Sequence, residues 1–326
     1  MFDFVGVGIL ALVTLVFGWL FTRAWGSKNA LLKWGGLVLT GLLTLLPGLL
    51  LALSLVGFYK LNARHPNPVV EVTVEGTPEQ IARGAKFAEF CAGCHSPTAK
   101  PPLVGQNFFP PGEGPPAGTL YAANLTPAGE LKDWTDGEII RAIREGVHKD
   151  GRSLLIMPSE IFRNMSDEDV QSVVAYLRSQ PAIEPDTPRA RLNVVGAILV
   201  NIFPLFTVQA PITAPIVAPP EAPTAEYGEY LVSNLGCRVC HGPDLTGGVA
   251  SGFGPPPGPN LTQIVPNWSE EQFMSFIRTG ADPVDGREID PGMMPWKEIS
   301  AFATDDDLKA IYAYVHNLTP TEGPAQ

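Results

Sequence analysis

A chain of 326 residues has room for two or three ordinary domains, and its 33 glycines and 33 prolines exclude long unbroken helix or sheet through most of it. Only 17% of residues are charged and the mean hydropathy is +0.11, which points to membrane segments. A formal charge of -11 argues against nucleic acid as a partner, and four cysteines are too few for a disulfide-built scaffold.

Residues 4–21 form an uncharged apolar run, and residues 35–59 form a second one interrupted by Pro47. Each is long enough to cross a bilayer as a helix. The loop between them carries Arg23, Lys28 and Lys33 and no acid, while the tip before the first run carries Asp3. Positive-inside bias therefore puts the loop in the cytoplasm and everything after Tyr59 on the extracytoplasmic, periplasmic side of the cell membrane. A cleaved signal peptide is disfavoured, because Asp3 replaces the basic n-region and no small-x-small site follows either run. Neither run contains His, Asp, Glu, Lys or Arg, so the pair reads as a two-pass anchor without redox or proton-relay groups. Trp19, Trp25, Trp34 and Tyr59 sit near its ends, as interfacial aromatics do.

Past the anchor the sequence repeats itself. The first copy contains Cys91-Ala-Gly-Cys94-His95, Asn124-Leu125-Thr126, Trp134, Ile143-Arg144-Glu145-Gly146, Gly151-Arg152 and Met157-Pro158. The second contains Cys237-Arg-Val-Cys240-His241, Asn260-Leu261-Thr262, Trp268, Ile277-Arg278-Thr279-Gly280, Gly286-Arg287 and Met294-Pro295. Order and chemistry match throughout. In each copy three short helices are expected between Gly/Pro-rich loops. They start at Thr77, Thr135 and Ser166 in the first copy, and near Ala225, at Ser269 and at Thr304 in the second. No alternating run predicts a sheet of any size. The proline-heavy stretch between the copies reads as a semi-rigid extended linker. The expected domains are an anchor over 1–65, a first unit over 66–185, a linker over 186–224 and a second unit over 225–326. The apolar segment 192–206 is too short and too broken for a third span.

Two thiols three residues apart on a helix can add to the two vinyl groups of haem, and the adjacent His then faces the iron; Cys-x-x-Cys-His is the c-type attachment signal. A zinc ribbon would need its cysteine pairs close together, and a thioredoxin-like site would need a βαβ context. The chain offers neither, so two covalently attached haem c groups, each with its iron, are expected at Cys91, Cys94 and His95 and at Cys237, Cys240 and His241. The sixth iron ligand should arrive from the far end of each unit. Met157 and Met294 both precede proline, stand just before the last helix and occupy parallel positions, which selects them over Met165, Met274 and Met293. His65, His148 and His316 have no counterparts in the other copy and read as surface residues.

These paired motifs resemble class I c-type cytochrome domains, and more narrowly the membrane-bound cytochrome subunits that serve periplasmic dehydrogenases and respiratory complexes. The resemblance covers nearly all of residues 77–318. It implies an all-α fold in which two N-terminal transmembrane helices precede two small helical cytochrome c domains. It also implies His95 and His241 as proximal ligands, Met157 and Met294 as distal ones, and Arg152 and Arg287 as partners for haem propionates. Gly258-Pro259-Asn260-Leu261 matches the loop whose proline carbonyl accepts the proximal His Nδ1 proton. The first copy has Ala123 at that place, so the contact is open there, with Pro102 as a substitute. Dehydrogenase cytochrome subunits usually carry three haem domains and a C-terminal anchor, and this chain departs from both.

The function that follows is electron transfer on the extracytoplasmic side, with no catalytic residue of the chain's own, as a subunit of a larger membrane complex. The donor would be a dehydrogenase or quinol-oxidising complex and the acceptor a cytochrome or oxidase. The alternatives are a cytochrome c subunit of a terminal oxidase, or a dihaem peroxidase or haem sensor, and two methionine ligands argue against the last pair. Charge is unevenly spread. Residues 1–65 carry five basic and one acidic side chain, residues 66–191 carry 12 and 17, and residues 221–326 carry 5 and 15. The strongly acidic second unit suits a basic redox partner.

Overall fold

The computed structural model describes residues 3–109, 116–203, 208–248 and 256–324. It is mainly helical. Helices α1 (Phe4–Trp25) and α2 (Ala30–Asn62) form an antiparallel hairpin whose outward faces are almost wholly apolar and exposed. Both are long and apolar enough to cross a membrane. Glycines let them approach: a Cβ at Gly36 would meet Ala24, one at Gly41 would meet Phe21, and one at Gly48 would meet Thr14. Asp3 caps α1 by accepting from Gly6 N at 2.9 Å, and Asn29 caps α2.

The first unit contains α3 (Pro78–His95), α4 (Asp136–Glu145), α5 (Ser159–Phe162) and α6 (Asp167–Ser179). Thr77 with Gln80 and Thr135 with Glu138 form reciprocal capping boxes, and Ser166 caps α6. Helix α4 ends at Gly146, whose φ of 67° is the left-handed conformation that glycine adopts freely. Two two-residue antiparallel pairs complete the unit: β1 (Gln106–Asn107) pairs with β3 (Tyr121–Ala122), and β2 (Gly118–Thr119) pairs with β4 (Arg191–Leu192).

Residues 208–224 carry no regular element, but the segment before them is more than the extended linker expected from its prolines. After β4 comes α7 (Val194–Leu199), which buries Ala197 against α2. A Cβ at Gly57 would fall 1.7 Å from the Ala197 carbonyl oxygen, and Asn201 Nδ2 donates to Leu53 O at 2.9 Å. The apolar character of residues 192–203 is thus used to seat the chain on α2; residues 204–206 of that segment lie outside the described residues.

The second unit repeats the first with α8 (Ala225–Asn234), α9 (Cys237–His241), α10 (Leu261–Ile264), α11 (Glu270–Thr279), α12 (Trp296–Phe302) and α13 (Asp305–His316). Ser269 with Gln272 and Thr304 with Asp307 are its capping boxes, and Gly280 ends α11 in the left-handed conformation. The buried apolar residues of both units form one continuous cluster.

One glycine in each unit sets the crossing of the first and last helices. A Cβ at Gly84 on α3 would fall 1.8 Å from Ser172 O on α6, and a Cβ at Gly228 on α8 would fall 1.9 Å from Ala310 O on α13. These are backbone atoms, which a small rotamer change cannot move aside. Gly84→Ala is therefore expected to destabilise the first unit by about 3 kcal/mol, at the upper end of overpacking costs. Thermal melting of the purified chain checks this, with Gly93→Ala as the control because a Cβ there meets nothing within 4 Å.

Candidate haem sites

The last turn of α3 carries the first attachment motif, and α9 is the second motif itself. Cys91 and Cys94 line a cavity of about 700 Å3 in the first unit together with His95 and Met157. The same cavity is walled by apolar side chains that include Phe87, Leu125, Ile139, Val173 and Leu177, and polar groups gather on one side at Glu130, His148 and Arg152. A flat, largely apolar macrocycle with acidic side groups fits such a space. The four cysteines form no disulfide.

Burial pushes the Cys91 thiol up to about 12 and the Cys237 thiol up to about 11, and raises Cys94 and Cys240 as well. Thiols raised in this way do not resemble the activated thiolates of redox enzymes. Burial also lowers both motif histidines, which keeps their rings neutral and able to ligate metal. His95 Nδ1 lies 2.8 Å from Ala123 O, and His241 Nδ1 lies 2.9 Å from Pro259 O. A carbonyl only accepts, so Nδ1 carries the proton in each ring and Nε2 keeps its lone pair for a metal. Pro102 is not the substitute. The bond uses a backbone carbonyl, so Ala123 supplies it as well as proline does. Gly258 permits the second approach, because a Cβ there would fall 2.7 Å from His241 Nδ1.

The supporting loops repeat closely. Gly105 N donates to His95 O at 2.7 Å, and Gly247 N donates to His241 O at 2.9 Å. Leu125 N donates to Leu103 O at 2.8 Å, and Leu261 N donates to Leu245 O at 2.9 Å. In the Asn-Leu-Thr motifs, Asn124 Nδ2 donates to Ile183 O at 2.7 Å and Asn260 Nδ2 donates to Thr321 O at 2.8 Å. Each asparagine clasps the chain as it leaves the last helix of its unit, which is why the motif recurs.

Met157 and Met294 occupy equivalent turns. The N–H two residues on donates back to each carbonyl, from Ser159 at 2.8 Å and from Trp296 at 2.7 Å, and the intervening proline starts a short helix. Met294 packs against the core while Met293 is 61% exposed, and Met165 is buried as core packing requires. Arg152 lines the first cavity, whereas Arg287 is exposed.

The three unpaired histidines are not surface residues. His148 is 6% exposed, with its ring edge-on to Trp134 at 4.8 Å. Its Nδ1 accepts from Asp150 N at 3.1 Å, and its Nε2 lies 2.8 Å from Glu130 Oε1 and 3.1 Å from Arg152 Nη2. His65 is half-buried 2.9 Å from Ser153 Oγ, and His316 is half-buried against Val265 O. Absence from the other copy gave no signal of burial; the Gly151-Arg152 turn that folds His148 inward is the feature that could have revealed it.

The hydrogen bond from His148, together with the charges of Arg152 and Arg189, holds the Glu130 carboxyl below its ordinary value of 4.5 against the opposing effect of burial. A depressed carboxylate stabilises the fold fully above its unfolded value, and that contribution is lost as pH falls through the folded one. Glu130→Gln is therefore expected to melt earlier than the parent near neutral pH and to converge on it in acid. Melting temperature against pH reads this directly; parallel curves would show that Glu130 is not held low.

The family model for cytochrome c matches residues 81–181 and 225–319, one match for each unit. The chain is 30% identical to a subunit of the nicotinate dehydrogenase of Pseudomonas putida, over 76% of its own length and 22% of that protein. It is 29% identical to the cytochrome c subunit of the quinone alcohol dehydrogenase of Gluconacetobacter polyoxogenes, over 74% of this chain and 56% of that one. A diheme cytochrome c-type protein of Cereibacter sphaeroides is 32% identical over 40% of this chain and 44% of its own length. The chain thus spans only about a fifth of the first of these relatives and just over half of the second. Two family matches fall on the two units that carry Cys-x-x-Cys-His, and with the neutral, backbone-oriented histidines they place this chain in the cytochrome c family, whose domains bind haem c covalently.

Proposed function

We propose that the chain is a membrane-anchored dihaem electron-transfer subunit, working on the extracytoplasmic side between a donor complex and a downstream acceptor. The observation that carries this reading is the convergence of Cys91, Cys94, His95 and Met157 on one cavity, with the same residue set in parallel turns of the second unit. Bound haem would supply a one-electron ferric/ferrous couple. The protein's part is to hold it. Cys91, Cys94, Cys237 and Cys240 would tether the two groups, and His95 and His241 would ligate from one side with Nδ1 pinned to Ala123 and Pro259. Met157 and Met294 would close the other side, which raises the potential relative to a second histidine and leaves no site for oxygen or peroxide.

The named relatives favour a dehydrogenase as donor; a quinol-oxidising complex is the other donor of this reading, and a cytochrome or oxidase its acceptor. We assign residues 1–65 to the anchor, 66–185 and 225–326 to the two haem units, and 186–224 to their connection. Arg23, Lys28 and Lys33 favour a cytoplasmic loop between the spans. Protease added to intact spheroplasts should then remove both haem units from the cells, and protection of those units would reverse the topology.

Met157→Ala should open the first iron, lower its potential and create stoichiometric carbon monoxide binding that the parent lacks. Met294→Ala should do the same at the second. Redox titration and the reduced-plus-carbon-monoxide difference spectrum read both effects. A parent that already binds carbon monoxide stoichiometrically has an open iron and is not a simple relay.

A further inference from the structure

The two attachment segments meet at their motifs, with contacts that advance along both in the same chain direction. On α3, Arg83, Lys86 and Phe90 share one face by helical spacing and meet Glu221, Tyr227 and Gly236 in chain order, with Asp307 on α13 a second partner of Lys86. Arg83 pairs with Glu221. Lys86 Nζ lies 2.6 Å from Asp307 Oδ1 and 3.3 Å from Tyr227 Oη. Phe90, the residue before Cys91, abuts Gly236, the residue before Cys237: a Cβ at Gly236 would fall 2.2 Å from Phe90 Cε2.

The groups around this contact have little freedom. The Lys86 and Asp307 side chains are 14% and 4% exposed. Tyr230 Oη accepts from Ser166 N at 2.9 Å and donates to buried Asp169, which also accepts from Arg83 Nε at 2.5 Å. A buried ion pair adds little net stability over an apolar pair of the same shape, and its best-attested use is to fix register. A proline-rich connection alone would set a span between the two units without fixing their contact.

We propose that electrons pass between the two redox centres at the Phe90–Gly236 contact, and that Arg83, Lys86, Tyr230 and Asp307 are positioning residues that hold its register. The proposal rests on the dihaem reading above. With haem bound at both motifs, one centre would be oxidised by one electron as the other is reduced by one, with no bond formed or broken.

The test uses the full chain in detergent. A haemochrome count below two in the parent would sink the dihaem reading and this proposal together. With two haems bound, flash photoreduction should show a redistribution phase whose rate is independent of protein concentration. Gly236→Ala, which drives a methyl group into the Phe90 ring, should slow that phase roughly tenfold, as misplacement of reacting partners does. Phe90→Ala in the same background should restore most of the rate. An unchanged rate in Gly236→Ala with both haems retained overturns the proposal. If Gly236→Ala fails to take up its second haem, Lys86→Met, which lies outside both Cys-x-x-Cys-His motifs, replaces it. Pulsed electron paramagnetic resonance should then show a broader iron–iron distance distribution together with a slower phase, and an unchanged distribution and rate again overturn the proposal.

Discussion

Replacing Cys91 and Cys94 together by alanine is expected to halve the covalent haem, from two per chain to one, and to unfold the first unit. The argument is one of volume. Among the described residues the unit consists of four α-helices, one of them only four residues long, a short 3-10 helix over Glu130–Asp133 and two two-residue strand pairs around a cavity of about 700 Å3. Left unfilled, this partly open cleft would leave its apolar walls facing water, which at roughly 25 cal/mol per Å2 comes to several kcal/mol. That is comparable to the whole stability of a small domain. Collapse cannot recover it, because Gly84 already brings α3 against the α6 backbone and Trp134 already packs on His148. The second unit should keep its haem, so the haemochrome count reads one, while the Trp134 fluorescence and the protease resistance of residues 66–185 are lost. A variant that loses one haem but melts like the parent would show that the cavity is not the unit's core.

The elements of this fold were legible wherever a local rule acts alone. The capping boxes at Thr77, Thr135, Ser269 and Thr304 fix helix starts through hydrogen bonds spanning three residues, and the structure has all four. The duplicated motifs located both candidate sites, because attachment chemistry demands its thiols and histidine in one short stretch. What stayed hidden depends on backbone atoms or on the other half of the chain. Nothing in the residue before Asn124 announces that the Ala123 carbonyl will accept from His95. The roles of Gly84 and Gly228 come from the carbonyls of Ser172 and Ala310, far along the chain. The apolar stretch around Ala197 could be read as buried, but its partner, Gly57 on α2, is visible only in three dimensions.

The repeated Ile-Arg-x-Gly sequence carries the second large expectation, and here the two copies should differ. Arg144 Nη1 donates to Asp167 Oδ1 at 2.7 Å, and its other terminal nitrogen donates to Met165 O. Arg278 makes the corresponding bonds to Ser300 O at 2.7 Å, Ala303 O at 3.0 Å and Asp305 Oδ1 at 2.7 Å. In both units the guanidinium ties the loop after the methionine turn to the first turn of the last helix, which packs on the first helix of its unit. A planar guanidinium with several donors suits this better than lysine would. The surroundings are not equal. The Arg144 side chain is 6% exposed and that of Arg278 is 31% exposed. Removing Arg144 strands a buried carbonyl and a half-covered carboxylate, so Arg144→Ala should cost about 3 kcal/mol, the low end for breaking a buried charge pair. Arg278→Ala leaves groups that water reaches, and screening reduces its cost to about 1 kcal/mol. Denaturant unfolding of the haem-loaded chain measures both. Equal losses would mean that solvent access does not set the difference. The reverse order would mean that the second unit, not the first, depends on its arginine to seat the last helix.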